Sequence, residues 1–354
     1  MVFYFEEADM DRSSTARHIA GKAVQLVLSL IVLSLIVFFV SRLAPGDPLK
    51  AYYGEAVERM SQEQLDAAQE RLGLDDPLIV QYGRWLANAA GGDFGISYQY
   101  KQPASDVIGQ VFGNTAALAI VSFILIFVLG LLLAVFCVRH EGKTIDRIIC
   151  RIGVATNSIP EFFVALILIL VFAAGMGILP QSGANSIGMG TAMSAAGAAG
   201  SGISILTILA DRVIHLILPV SAIVISHLWY CTYLMRNKLS EEISKDYILM
   251  LKVKGLSERR IIYRHCLKNI MPACISIMAI FLPHLLGGAY VVELVFSYPG
   301  MGKLGVESAQ FHDYNMLMLI CLITGAMVIA ANMAAQIINE KLSPEIKEER
   351  GRML

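Results

Sequence analysis

The sequence predicts an all-α membrane protein with six transmembrane helices, and its composition is the first reason. Hydrophobic residues make up 56% of the 354 residues and charged residues only 16%, with a mean hydropathy of +0.62. A soluble domain carries about 25% charged residues. The apolar residues also lie in long blocks free of Asp, Glu, Lys and Arg. These observations exclude a disordered chain, a nucleic-acid-binding protein and an ordinary cytosolic enzyme.

Six blocks are long enough to cross a membrane, since a helix needs about 20 apolar residues to span a hydrocarbon core of about 30 Å. They are Ala23–Ser41, Asn114–Val138, Phe162–Leu179, Val213–Met235, Asn269–Val292 and Asn315–Asn339. The segment Gly183–Gly202 consists of Gly, Ala or Ser at 15 of its 20 positions. Such residues gain little from transfer into lipid, and Gly weakens a helix. We therefore expect a flexible external loop there.

The distribution of Lys and Arg predicts the orientation, because short cytoplasmic loops are enriched in these residues. With six spans, 20 of the 28 Lys and Arg residues lie on one side of the membrane, nine of them in residues 236–268. That side is predicted to be the cytoplasm, and both termini lie on it. A seventh span would move the most basic loop to the outside.

The external region 44–113 is long enough to form a small folded insert. Within it, Ser61-Gln62-Glu63-Gln64 has the pattern of a capping box, in which the Ser and Gln side chains satisfy backbone N–H groups at a helix start. Gly73 is placed to end that helix, which we expect over Ser61–Leu72. Two roles stay open for the insert, a structural lid and a docking site for an external protein.

The loop 236–271, called the basic loop below, carries nine basic and four acidic residues. Its charge alone suits a surface beside anionic lipid headgroups. Apolar residues also recur at helical spacing, as at Ile243, Tyr247 and Leu251 and again at Ile261 and Ile262. Gly255 lies between these two stretches, where it can form a left-handed turn. A short pair of helices with an apolar and basic face predicts a docking surface for a soluble partner.

The residues of the basic loop carry a family resemblance. Asp246-Tyr247-Ile248 is followed by Lys254-Gly255-Leu256-Ser257-Glu258-Arg259-Arg260 and then by His265, Leu267, Asn269 and Pro272. This run resembles the EAA-type loop of binding-protein-dependent ABC importer permeases, more narrowly those of the dipeptide/oligopeptide/nickel family. Further similar segments occur in order along the chain, at Leu43–Pro48, Leu72–Pro77, Gln81–Tyr82, Gly92–Gly95, Ser97–Tyr98, Ser158–Phe162, Leu218–Pro219 and Val292–Gly300.

The resemblance implies a type I ABC importer permease (MetI-like) fold with an external insert after the first helix. Residues 1–113 would hold the N-terminal tail, the first transmembrane helix and the insert. Residues 114–340 would form the core permease domain with its coupling loop at 236–271, and residues 341–354 a cytoplasmic tail. The implied location is a bacterial plasma (inner) membrane.

The resemblance also implies partners. These are a second homologous permease subunit, two ATP-binding cassette ATPase subunits and an extracytoplasmic substrate-binding protein, with no nucleic acid. In such permeases the EAA-type loop sits in a groove of the ATPase, so by position Asp246, Tyr247, Lys254 and Gly255 are the expected contacts. The chain departs from the motif at Leu249, Leu251 and Val253, where small or charged residues are usual, so no contact is assigned to these three.

The chain contains no GxxxxGK[ST] motif, the loop whose backbone amides hold phosphate in ATPases. We expect no enzymatic site and no cofactor here, with ATP bound by the partner subunits. The run Gly300-Met301-Gly302-Lys303-Leu304-Gly305 matches GxGxxG but lies at the external end of the fifth span, without the βαβ context of a dinucleotide site. A turn with close helix packing explains these glycines.

Ionisable groups within spans are costly and often functional. Glu293 lies near the external end of the fifth span, and the resemblance implies that Glu293, Phe296, Pro299 and Gly300 border the translocation path. The alternative for Glu293 is a carboxylate with satisfied hydrogen bonds. His227 and His284, in spans four and five, are candidate metal ligands if they meet across the pore, and packing residues otherwise.

The predicted function is that of a permease subunit that forms half of the pore of an ATP-driven importer. Short peptides are the favoured cargo, and nickel or a nickel chelate is the alternative within the family. An ion-gradient-driven secondary transporter is a distant alternative, because the paired intramembrane carboxylates and inverted repeats of that class are not found. A membrane enzyme would need a catalytic group of His, carboxylate and nucleophile at membrane depth, which is also not found.

Overall fold

The fold was analysed in a computed structural model, which describes residues 2–43, 49, 53–73, 76–186 and 205–342. Of residues 2–20, 55, 71, 72, 340 and 341 it describes the backbone alone. Residues 44–48, 74–75, most of the predicted loop at 183–202 and all but the start of the predicted tail lie outside this part of the chain. Within the described residues the chain is all-α, as predicted, apart from one isolated bridge between Ile96 and Pro103.

The helices follow one another in a simple order. Before residues 187–204 come α1 (Val2–Leu43), a 3₁₀ helix (Gly54–Arg59), α2 (Gln62–Leu72), α3 (Leu78–Ala90), α4 (Ala104–Arg139), α5 (Thr144–Thr156), α6 (Glu161–Leu168) and a π-helix (Ile169–Gly175). After residues 187–204 come α7 (Ile205–Ile243), α8 (Asp246–Val253), α9 (Glu258–Arg260), a second π-helix (Ile261–Cys266), α10 (Leu267–Val295), α11 (Met301–Gln310) and α12 (Tyr314–Leu342).

In the described part of the chain, five helical segments are long and apolar enough to cross a membrane. They are Gly21–Leu43, Ala104–Arg139, Ile205–Ile243, Glu258–Val295 and Tyr314–Asn339. The third predicted span, Phe162–Leu179, falls on α6 and its π-helix, which join α5 at an angle of 108°. Pro160 lies in the break between them and disfavours the helical conformation of the residue before it. The count is six when this bent pair is one crossing.

The described residues form two compact units. The first comprises residues 1–110 with 305–334, and the second residues 111–304 with 335–354. In the first unit the insert helix α3 packs on α1, where Phe38, Tyr82 and Met318 form a buried cluster. The hydroxyls of Ser34 and Tyr82 lie 2.9 Å apart and share a hydrogen bond. The aromatic side chains of α3 therefore anchor the insert to the first span.

The capping box predicted for the insert is confirmed. The Gln64 amide donates to the Ser61 hydroxyl oxygen at 3.3 Å, and the Ser61 amide donates to the Gln64 side chain at 3.0 Å. Gly73 ends the helix at φ +64°, in the left-handed region. These local signals were readable because each partner lies within four residues of the other.

A buried carboxylate organises another part of the first unit. Asp313 is 0% exposed, and it lies just before α12, where its carboxylate accepts from the Met316 amide at 3.3 Å. It also accepts from the Ser97 hydroxyl and from the Gln99 amide at 3.2 Å. Asp313 thus caps the last membrane helix and ties it to the chain that enters α4.

In the second unit α5, α6, α7 and α10 pack together. Gly153 of α5 lies so close to α7 that a Cβ atom there would come 2.6 Å from the Trp229 carbonyl oxygen. About two turns further along α7, Arg236 donates from Nε and Nη2 to the Asp146 carboxylate at 3.0 and 2.8 Å. Asp146 is 3% exposed, so the pair provides each charge with a partner away from water.

We predict that Gly153→Ala destabilises the second unit, because the added methyl would separate α5 from α7. Overpacking of this kind costs about 1–3 kcal/mol, and the thermal midpoint of the purified protein would fall. Gly83→Ala is the matched control, since Gly83 also lies in a helix and its Cβ would meet nothing within 4 Å. There Ala favours the helix by up to about 1 kcal/mol. Equal midpoints for the two variants would contradict the close α5–α7 contact.

Candidate functional site

The basic loop forms a short helix, a glycine turn and a re-entry into a membrane helix. α8 begins three residues after α7 ends, and Lys254 follows its last residue. Gly255 has φ +78°, and a Cβ there would meet nothing within 4 Å. The predicted left-handed turn at Gly255 is confirmed. Glycine is therefore required by backbone conformation and not by lack of space.

A carboxylate holds α8 against the two membrane helices beside it. Glu242, at the end of α7, accepts from the Tyr247 hydroxyl at 2.6 Å and from the Asn269 side chain at 2.8 Å. Its other oxygen lies 2.6 Å from Lys245 Nζ. Glu242 is 5% exposed. Because Asn269 belongs to α10, one carboxylate joins α7, the start of α8 and α10.

This arrangement shifts the ionisation of its partners. Burial and the hydrogen bond to Glu242 raise the pKa of Tyr247, so its hydroxyl stays protonated and donates. The hydrogen bond to Glu242 also raises the pKa of Lys245, which keeps the ammonium charged. Of the four predicted ATPase contacts, Asp246, Lys254 and Gly255 are exposed, whereas Tyr247 is half-buried and turned toward Glu242.

α8 exposes three apolar side chains beside the charged Asp246 and Lys252, and sequence reasoning assigned no contact to these three. Leu249, Met250 and Val253 are 67%, 52% and 81% exposed. The expectation that Ile261 and Ile262 belong to the outward face is wrong, since they are 2% and 6% exposed and pack inward. The spacing of Leu249 and Val253, four residues apart on one helix face, was the available signal.

Glu293 lies in a second buried cluster, at the end of α10. Its carboxylate accepts from the Thr115 hydroxyl at 2.6 Å and from the amides of Gly302 and Lys303 at 2.7 and 3.3 Å. The amides belong to the first turn of α11, so Glu293 caps that helix from outside it. The Thr115 hydroxyl oxygen accepts in turn from the Met301 amide at 2.8 Å.

The glycines after Glu293 permit this close packing, as predicted for the GxGxxG run. A Cβ at Gly300 would collide with the Glu293 carboxylate, and one at Gly302 would collide with Tyr290. In the turn between the end of α10 and Gly300, Ser297 adopts φ +47°, an unusual conformation for a residue other than glycine. The turn 296–300 is therefore tightly constrained.

Residues that line an open path would be exposed, but three of the four predicted path residues are buried. Glu293 and Phe296 are 0% and 1% exposed, and Gly300 is also buried. Pro299 is exposed, and its carbonyl oxygen accepts from the Asn114 side chain at 2.7 Å. In this conformation Glu293, Phe296 and Gly300 pack within the chain.

A cavity of about 500 Å³ opens between the α5–α6 junction, α7 and α10. His227 and His284 both line it, and the Phe281 ring is near each of them, with centroid distances of 6.1 and 6.3 Å. Glu161, the first residue of α6, lines the same cavity and was not singled out from the sequence. In the described part of the chain no group of three or more His, Cys, Asp or Glu residues is placed to hold a metal ion.

Comparison with known proteins gives the family. Residues 126–348 match the family described as "Binding-protein-dependent transport system inner membrane component", and residues 15–119 match the N-terminal family of the same system. The oligopeptide transport system permease protein AppB of Bacillus subtilis (strain 168) is 30% identical over 333 residues, which cover 94% of this chain and 99% of the relative.

Two further relatives carry different cargo names. The metal-staphylopine import system permease protein CntB of Staphylococcus aureus (strain NCTC 8325 / PS 47) is 27% identical and covers 92% of this chain and 97% of its own. The glutathione transport system permease protein GsiC of Escherichia coli (strain K12) is also 27% identical, with 93% and 98% covered.

A solved structure supports the fold. A chain of the MetNI methionine ABC transporter, in an inward-facing conformation, aligns with a TM-score of 0.51 at 17% identity and covers 67% of this chain and 96% of that chain. The likeness agrees with the MetI-like permease fold that the sequence predicts. The family match over residues 126–348 and the relative at 30% identity show that the chain belongs to the binding-protein-dependent transport system inner membrane component family, the multi-pass permease subunits of ABC importers.

Proposed function

We propose that this chain and a second, homologous permease subunit form the translocation pore of an ATP-driven importer for short peptides. The observation that carries the proposal is the apolar face of α8, formed by Leu249, Met250 and Val253. An exposed apolar patch beside charged residues marks a protein-interaction surface. In a permease of this family, the partner that fits this surface is an ATPase subunit.

The energy for transport would come from the partners. The sequence has no phosphate-binding GxxxxGK[ST] loop, so two ATP-binding cassette subunits would bind ATP and this chain would need no cofactor. An extracytoplasmic binding protein would deliver the cargo. The excess of Lys and Arg in the basic loop supports an orientation with that loop and both termini in the cytoplasm.

The contacts of α8 support a mechanism for coupling. Asp246, Lys254 and Gly255 would contact the ATPase together with the apolar face of α8, whereas Tyr247 would position α8 through its bond to Glu242. Because Glu242 also binds Asn269 of α10, a displacement of α8 would reach α7 and α10 together. Differential binding of the ATPase to two arrangements of these helices would then shift the pore between inward- and outward-facing states.

We predict that Gly255→Val uncouples the permease. A β-branched side chain at φ +78° is strained by about 1–2 kcal/mol, and the turn would change shape. Co-purification of the ATPase and cargo-stimulated ATP hydrolysis should both fall, by about tenfold for each 1.4 kcal/mol of docking free energy lost. Asp246→Lys should act in the same direction by reversing one charge on the surface.

Gly54→Val is the matched control for this experiment. Gly54 also has a positive φ, +64°, and a Cβ there would likewise meet nothing within 4 Å. It lies in the insert, so the same backbone strain should leave ATPase association unchanged. Normal ATPase binding and normal hydrolysis in Gly255→Val would show that α8 and its turn are not the docking surface.

For Glu293 we propose a positioning role and no direct contact with cargo. Its carboxylate has three donors and no exposed surface. It would hold the turn 296–300 and the start of α11 in place at the mouth of the fifth span. Pro299, the exposed member of the four predicted path residues, would border the path.

A double-mutant cycle tests this role. Gly300→Ala should destabilise the protein because its methyl would overlap the Glu293 carboxylate, and Glu293→Ala should do so by leaving three donors unpaired. Each change should cost about 1–3 kcal/mol. The double variant should cost less than the sum by about 0.5–3 kcal/mol, because the removed carboxylate leaves room for the methyl. Additive shifts in the thermal midpoint would contradict the contact between Glu293 and Gly300. A raised KM for peptide in a stable Glu293→Gln variant would contradict the positioning role of Glu293.

The cargo proposal is supported by the oligopeptide and glutathione relatives, which align over nearly the whole chain. A metal chelate is the second candidate, supported by the metal-staphylopine relative and by the presence of His227 and His284 in one cavity.

We predict that cells without this chain lose uptake of a labelled dipeptide and keep uptake of radioactive nickel. The control is a strain that carries Gly255→Val, in which the permease is inserted in the membrane but not driven by ATP. It should fail to restore uptake, whereas Gly54→Val should restore it. Loss of nickel uptake with normal peptide uptake would replace the peptide proposal by the chelate.

A further inference from the structure

We propose that the cavity lined by Glu161, His227 and His284 is a weak cargo site within the permease, which binds the ammonium group of a peptide during translocation. The inference rests on the proposed function and adds a site to it. The site would recognise a primary ammonium group, with Glu161 as its counter-charge and the histidine rings as hydrogen-bond partners.

The position of Glu161 is the first observation. It lies directly after Pro160, at the bend between α5 and α6, so the break in the helix places its carboxylate at the wall of the cavity. On the opposite side, Gly288 of α10 leaves room for it, since a Cβ at Gly288 would come 3.3 Å from Glu161 Oε1. The side chain of Glu161 is 28% exposed. The carboxylate is thus confined between helices and still accessible from the cavity.

The bonding of His227 is the second observation. Its Nε2 atom is buried and has no hydrogen-bond partner among the described residues. It lies 3.4 Å from Glu161 Oε1, close enough for an ionic interaction but without hydrogen-bond geometry. A buried polar atom without a partner is unfavourable. An ammonium group beside Glu161 can supply N–H donors to both the carboxylate and an unprotonated imidazole nitrogen.

The remaining walls suit an organic cation. Rings of Tyr230 and Phe281 lie 5.7 Å apart and line the cavity together, and aromatic faces attract cations. Among the described lining residues Glu161 is the one carboxylate, and none is Lys or Arg. The volume of about 500 Å³ falls in the range of small-molecule sites, about 300–1,000 Å³.

The chemistry favours an ammonium group over a bare metal ion. One carboxylate and two imidazoles line the cavity, but the described residues bring no three such groups to metal-binding positions. A transport site must also release its cargo, so binding has to be weak. A single charge pair in a partly open cavity meets that requirement.

Protection of a cysteine in the cavity tests the site directly. Ile280 lines the cavity and is 68% exposed, so Ile280→Cys in a Cys150→Ser, Cys321→Ser background would report occupancy through its rate of reaction with a maleimide. The assay uses the assembled importer in nanodiscs, with and without glycyl-leucine at about 5 mM. We expect labelling to slow about threefold or more, as mass action predicts for a site with a Kd of a few millimolar or less. N-acetyl-glycyl-leucine, which has no ammonium group, should not slow it.

Two variants and a control complete the test. Glu161→Gln should abolish protection, and Gly288→Ala, which crowds the carboxylate without removing a charge, should weaken it. Gly288→Ala keeps the proposal testable if Glu161→Gln does not assemble with the ATPase. Glu63→Gln, on the exposed insert helix α2, should keep full protection.

The outcomes separate this inference from the proposed function. Equal protection by the acetylated peptide, or full protection in Glu161→Gln, would overturn the ammonium site. So would the lack of any protection in a complex that transports glycyl-leucine into proteoliposomes, and the peptide-importer proposal would then stand. A wild-type complex that transports no peptide would overturn both.

Discussion

The hydrocarbon core of a membrane offers no water to backbone N–H groups, so a helix that begins in or beside it needs partners from the protein itself. In this permease subunit buried carboxylates supply them. Glu293 accepts from the first turn of α11, and Asp313 accepts from the first turn of α12. Both are 0% exposed. The backbone N–H groups at each helix start need acceptors, and the two carboxylates accept hydrogen bonds from them. This mutual bonding explains why a negative charge is tolerated there.

The same requirement shapes the basic loop and distinguishes Glu161 from the other acids. Glu242 and Asp146 are buried and each has a basic partner, Lys245 and Arg236 respectively. They join α5, α7, the start of α8 and α10 through hydrogen bonds, and the proposed coupling through α8 depends on these links. Glu161 instead faces His227 without a hydrogen bond to it. A carboxylate in a cavity without a full set of hydrogen-bond donors can accept hydrogen bonds from a bound ligand.

Sequence reasoning succeeded where the determining contacts are local. Five of the six apolar blocks lie in helices of the described chain that are long enough to cross a membrane, because about 20 apolar residues suffice to define a span. The block Phe162–Leu179 falls on α6 and its π-helix, which make a sixth span only together with α5. The capping box at Ser61 and the left-handed turn at Gly255 were readable from neighbours in sequence. The glycines after Glu293 were correctly assigned to packing. The family resemblance, carried by ordered short motifs, agreed with the match over residues 126–348.

The sequence by itself thus determined the class of protein, five of its spans and its family. Only the tertiary structure decided which polar groups meet. Thr115 and Glu293 are 178 positions apart in sequence and bond at 2.6 Å. Glu161, at the bend between α5 and α6, lies 3.4 Å from His227 of α7. The tertiary structure also decided that Leu249 and Val253 face outward while Ile261 packs inward. Composition reports which residues suit lipid or water, whereas the pairing of side chains depends on how the helices pack.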